Sequence, residues 1–93
     1  MSARIAFITG ASRGIGRACA LELSKAGFRV ALGARDQEKL EAVATEIRAA
    51  GGDAYVVPID LASEESIKGG FAKTASEFGP VTVLVNNAGI TRD

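Results

Sequence analysis

Thr9-Gly10-Ala11-Ser12-Arg13-Gly14-Ile15-Gly16 decides the fold of this chain. The stretch follows an apolar run, Ile5-Ala6-Phe7-Ile8, and opens an amphipathic segment. It therefore reads as strand, glycine-rich turn and helix. Such a turn brings bare backbone N–H groups and a helix N-terminus to one point, which suits a phosphate. Gly10 lets the chain turn sharply out of the strand, Gly14 leaves room for a pyrophosphate against the backbone, and Gly16 allows the helix to pack close on the sheet. Ser12 and Arg13 add a hydroxyl and a guanidinium, both good phosphate partners. No Gly-Lys-Ser/Thr follows, so the turn is not a P-loop. The plainer reading is a tight strand–helix connection without a ligand.

Outward from the turn, strands and helices alternate. Residues 4–9 read as a buried strand and 14–26 as a helix stopped by Gly27. Residues 28–34 form a second strand, with Phe28, Val30 and Leu32 apolar. Asp36 caps a helix running to about Ala50, whose inner face is Leu40, Val43, Ala44 and Ile47 at helical spacing. Residues 54–58 make a third strand. Ser63 is a good N-cap, with Glu64 and Glu65 placed against the helix dipole. That helix runs to Phe78 and is expected to bury Ile67, Phe71, Ala75 and Phe78. Within it, Gly69-Gly70 costs about 1 kcal/mol per glycine relative to alanine, for which close packing is the simple explanation. Residues 81–85 are a fourth strand, apolar enough to be buried on both faces.

This alternation predicts an α/β fold: a Rossmann-like three-layer sandwich of four parallel strands in the order 3-2-1-4 with three helices. The crevice between the first and fourth strands is then the topological switch point, where ligands bind. The glycine turn lies at that crevice.

Composition narrows the function. The 93 residues are 47% apolar and 24% charged, with 11 basic and 11 acidic side chains. This describes one globular domain of zero net charge, and favours neither a nucleic-acid nor an anionic membrane partner. No apolar run is long enough to cross a bilayer. The single Cys19 has no internal disulfide partner and fits a reducing cytoplasm. With one cysteine and no histidine, a metal site is not expected.

The end of the second strand identifies the nucleotide. Sites for NAD often place a carboxylate there to hold the ribose 2′-OH. Here the strand ends Gly33-Ala34-Arg35. Arg13 and Arg35 both reach toward the adenosine ribose, and two guanidinium groups suit a 2′-phosphate. NADP is therefore favoured over NAD. Asp36 could neutralise Arg35, although its role as a helix cap is the better reading.

Three motifs in register carry a family resemblance: Thr9 to Gly16, Asp60-Leu61 after the third strand, and Asn86-Asn87-Ala88-Gly89 after the fourth. Together they resemble the N-terminal half of the short-chain dehydrogenase/reductases over essentially the whole chain. The closing Asn86-Asn87-Ala88-Gly89-Ile90-Thr91-Arg92-Asp93 is similar to the 3-oxoacyl-[acyl-carrier-protein] reductase branch. The resemblance implies that residues 1–93 are the dinucleotide-binding half of a single Rossmann domain. Gly10, Ala11, Ser12, Arg13, Gly14, Ile15 and Gly16 would wrap the pyrophosphate. Asp60 would accept a hydrogen bond from the adenine amino group, and the Leu61 N–H would meet the ring. Asn87, Ala88 and Gly89 would line the cofactor's path, and Ile90 would border the nicotinamide. For Asp60 the alternative is a loop-to-helix cap. For Asn86 and Asn87 it is tying the central strand to its neighbours, and Thr9 is expected to hold the turn rather than touch the ligand.

In that family an Asn, a Ser, a Tyr and a Lys beyond the fourth strand do the chemistry. The single tyrosine here, Tyr55, is followed four residues later by Ile59 instead of lysine, and reads as a packing residue. No catalytic residue is therefore assigned, and the 93 residues alone are expected to be inactive. In the intact parent the resemblance implies an acyl thioester substrate on acyl carrier protein and a homo-oligomer. A complete, non-catalytic nucleotide-binding module and a non-functional fragment are the competing readings. The fourth strand is expected to be left as an unpaired apolar edge.

Overall fold

Strand β1 (Ile5–Thr9) is apolar and flanked by a neighbour on each side, and all five of its residues are buried. Around it, in a computed structural model that describes residues 4–12 and 14–87, the chain runs α1 (Gly14–Lys25), β2 (Arg29–Ala34), α2 (Gln37–Ala49), β3 (Ala54–Pro58), α3 (Glu64–Glu77) and β4 (Val81–Asn86). The four strands are parallel, in the order β3-β2-β1-β4. Helices cover both faces, giving the three layers and the strand order expected, with element ends shifted by a residue or so.

One layer buries Ala6 and Ile8 of β1 and Val30 and Leu32 of β2 beneath Ala20 of α1 and Leu40, Val43, Ala44 and Ile47 of α2. Full burial of each larger aliphatic side chain is worth about 1.5–3 kcal/mol. Asp36 starts α2 by accepting the Lys39 N–H at 3.2 Å. The opposite layer holds Phe7, Ala31, Val57 and Ile59, with Ile67, Phe71 and Phe78 packed against them. Phe7 and Phe71 meet edge to face, with centroids 4.5 Å apart.

Two expectations need correction. Ala75 is exposed, and the line of α3 nearest the sheet is Gly70 and Thr74 instead. A methyl on Gly70 would lie 2.6 Å from Ile59 Cγ2, so the glycine lets the helix approach β3 closely. Thr74 is fully buried because its hydroxyl donates back to the Gly70 carbonyl at 2.8 Å. Nor is β4 buried on both faces. Val81, Val83 and Val85 are half-buried while Thr82, Leu84 and Asn86 are exposed, Leu84 by 52%. Among the described strands β4 pairs with β1 alone. Its register shifts between Ile5 and Ala6, which oppose Val81 and Val83. Thr82 is the additional residue, and its hydroxyl donates to the Ile5 carbonyl at 3.2 Å.

Candidate cofactor-binding site

The site is built where β1 ends. Gly10 and Gly14 have φ of 66° and 62°, a backbone region that costs other residues about 1–2 kcal/mol. Between them the chain reverses into α1, and the Ala11 N–H is tied to the Gly33 carbonyl of β2 at 3.2 Å. A methyl on Gly16 would clash with the Gly10 carbonyl oxygen and lie 2.9 Å from Asn87 Nδ2. A methyl on Gly14 would meet nothing within 4 Å. The turn is therefore closed on its inner side and open on its outer side. That is the shape a pyrophosphate against the backbone needs.

β4 braces this turn. The Asn87 amide donates to the Gly10 carbonyl at 3.4 Å. The Thr9 hydroxyl lies 3.1 Å from Asn86 Oδ1 and 3.4 Å from the Val85 carbonyl. These bonds join the carboxyl ends of β1 and β4. There the direction of strand addition reverses: β2 and β3 lie to one side of β1, and β4 to the other.

The remaining expected residues divide into four groups. Ala11 is buried, Ser12 half-buried, and Gly14 and Ile15 exposed, Ile15 by 68%. Arg35 is exposed just past the end of β2. The ion pairs among the described residues are Arg17–Glu46, Lys25–Glu22 and Arg29–Asp53, so Asp36 caps α2 and does not pair with Arg35. Asp60 and Leu61 follow β3, whose end is held level with β2 by the Ile59 N–H on the Ala34 carbonyl at 2.9 Å. Asp60 is exposed and Leu61 packs against the layer of Phe7, Ala31, Val57 and Ile59. Arg13, Ala88, Gly89 and Ile90 lie outside the described residues.

The Asp60 turn is more extensively bonded than its sequence announced. Its Oδ1 accepts the Ala62 N–H at 3.0 Å, its carbonyl accepts the Ser63 N–H at 3.0 Å, and its own N–H donates to Ser66 Oγ at 2.8 Å. Sequence reading passed over Ser66. The available signal was a pair of helix-capping hydroxyls, Ser63 and Ser66, three residues apart behind an aspartate.

Tyr55 lies away from this site, near the start of β3 and opposite Ala31. It stacks on Phe78 with centroids 5.3 Å apart and bonds to the Glu77 carboxylate. That bond, then partial burial and the Glu77 charge, push its pKa from 10.0 up to about 12. A groove of about 310 Å³ between α1 and α2 is lined by the Arg17–Glu46 pair, Leu21 and Ile47, and by no residue of the turn. Among the described residues no helix is long and apolar enough to cross a membrane.

A parallel sheet with a glycine turn at its switch point defines a dinucleotide-binding α/β protein. The sequence model of the short chain dehydrogenase family matches residues 4–93, and the chain belongs to that family. It is 48% identical over 89 residues to a 3-oxoacyl-[acyl-carrier-protein] reductase of Staphylococcus aureus, covering 95% of this chain and 36% of the relative. A metagenomic short-chain oxidoreductase solved in complex with NADP superposes with a TM-score of 0.84 at 45% identity, over 90% of this chain and 38% of that one. L-Sorbose reductase from Gluconobacter frateurii, complexed with NADPH and L-sorbose, gives 0.89 at 34% identity, over 100% and 36%. The chain thus spans little more than a third of the length of these proteins.

Proposed function

We propose that this chain holds NADP(H) as the N-terminal half of a larger Rossmann domain, in an oxidoreductase that reduces a carbonyl by hydride transfer. The observation that carries the reading is the turn between Gly10 and Gly16, closed inward and open outward at the strand-order reversal. Gly10 to Gly16 wrap the pyrophosphate, with Ser12 and Arg13 on the phosphates. Arg13 and Arg35 take the 2′-phosphate through charge-assisted bonds. Asp60 accepts the adenine amino group and the Leu61 N–H meets the ring. Asn87, Ala88 and Gly89 line the path toward the nicotinamide, which Ile90 borders. The bound nicotinamide supplies the hydride, and this chain's residues bind and orient it.

The substrate we propose is a 3-oxoacyl thioester on acyl carrier protein, a reading supported by the activity in the name of the Staphylococcus aureus relative. The exposed Leu84 and the outer edge of β4 support continuation of the sheet by further strands. A homo-oligomeric parent enzyme in the cytoplasm completes the proposal.

Titration of the purified protein with NADPH and NADH tests it. NADPH should bind more tightly, and Arg35→Ala should weaken NADPH by about tenfold, the loss of one charged hydrogen-bonding partner, while leaving NADH unchanged. Equal affinities, or NADPH binding indifferent to Arg35→Ala, would overturn the assignment.

A further inference from the structure

We infer that Ser66 is a positioning residue for adenine recognition: its hydroxyl fixes the Asp60 turn so that the free side of the Asp60 carboxylate faces the base. The inference rests on the cofactor reading above and deepens it. Ser66 is the third residue of α3, and its own N–H donates to Ser63 Oγ at 3.2 Å. In the usual capping box the side chain at this position returns to the N–H of the cap residue. Here the Ser63 N–H is already held by the Asp60 carbonyl. The Ser66 hydroxyl instead reaches one residue triplet further back and accepts the Asp60 N–H at 2.8 Å.

Both backbone polar groups of Asp60 are thereby anchored to the start of α3. Oδ1 is engaged by the Ala62 N–H, which sets the rotation of the carboxylate. Oδ2 takes no hydrogen bond from the described residues, and Asp60 is exposed. The arrangement presents one acceptor in a fixed direction at the carboxyl end of β3. α3 is itself held by Ile67, Phe71 and Phe78 against the sheet, so the anchor is rigid. An amino group is attracted to such an acceptor. A carbonyl oxygen at the same place on the base is repelled.

The test is discrimination between adenine and hypoxanthine, which carries oxygen in place of the amino group. Dissociation constants are measured by fluorescence for NADPH and for reduced nicotinamide hypoxanthine dinucleotide phosphate. The wild-type protein should prefer the adenine form by about tenfold, the scale of one hydrogen bond to a charged group. Ser66→Ala should lower that preference several-fold with little change for the hypoxanthine form, Ser66→Thr should retain it, and Asp60→Ala should abolish it. Ser66→Cys, a poorer acceptor of similar size, gives the same readout should the alanine variant lose its fold. An unchanged preference in Ser66→Ala, an equal loss for both ligands, or a threonine variant that behaves like alanine would overturn the inference. A wild-type protein that binds neither ligand refutes the cofactor reading itself. One that binds both equally removes the Asp60 role, and with it that of Ser66.

Discussion

Gly16 faces Gly10 so closely that a methyl group on the first would clash with the carbonyl oxygen of the second. Gly14, two residues earlier, faces open space and is fixed by its φ of 62°. The two glycines are thus required for different reasons, and asparagine separates them. Asn tolerates the left-handed region, so Gly14→Asn should keep stability within about 1 kcal/mol of the parent, against about 1–2 kcal/mol lost in Gly14→Ala. Gly16→Ala should cost about 2–3 kcal/mol through overpacking, and Gly16→Asn should be no better. Urea denaturation midpoints give the order.

Arg29 fastens the end of α3 to the sheet. It pairs with Asp53 at 2.8 Å, donates to the Phe78 carbonyl at 3.0 Å and lies 4.0 Å over the Phe78 ring. The pair is partly exposed and worth little alone, so the carbonyl bond and the ring supply most of the effect. Arg29→Ala should lower stability by about 1–2 kcal/mol. Arg29→Lys should recover less than half of this, because one ammonium cannot serve all three partners. Thermal melts at low and high salt should show a loss that is largely independent of salt.

The chain has a single tyrosine, so its ionisation can be followed by ultraviolet absorbance without interference. The Tyr55 midpoint should lie near 12 in the folded protein and fall toward 10.0 in Glu77→Ala. A pKa raised on folding adds stability below the unfolded value and removes it above. This contribution should be intact at neutral pH and disappear as pH rises from about 10 to about 12. A folded-state midpoint at the unfolded value would show that the Glu77 bond does not form.

Leu84 exposes half its surface on a strand that, among the described strands, pairs with β1 alone. Edges of this kind invite pairing with another chain. Sedimentation velocity should reveal concentration-dependent association, and Leu84→Lys should suppress it while far-UV circular dichroism remains unchanged. Equal association in the two proteins would place the sticky surface elsewhere.

Strand order, layering and the helix caps Asp36 and Ser63 were legible in the sequence because glycine stops and helical spacing leave few arrangements of alternating elements. The inner face of α3 was misjudged because a search for apolar side chains steps from Phe71 to Ala75. The sheet instead accepts Gly70 and Thr74, one for its lack of bulk and the other because its hydroxyl finds a partner inside its own helix. β4 looked doubly buried because Leu84 adds an apolar side chain to the face it shares with Thr82 and Asn86, yet burial depends on what lies alongside, which composition does not record. At the site, Gly16 was readable from spacing alone. Ser66 was not, since its role depends on a turn that brings Asp60 back over the first turn of α3.

The amide that steadies the Gly10 carbonyl belongs to Asn87, 77 positions further along the chain. During synthesis on the ribosome, the glycine turn after β1 emerges early but lacks this brace until β4 and Asn87 have left the exit tunnel. Bonds that span so much sequence form late, after the entropy of closing the intervening chain has been overcome. A nascent polypeptide should therefore gain its grip on the coenzyme as β4 docks, which makes coenzyme capture a natural clock for the pairing of β4 with β1.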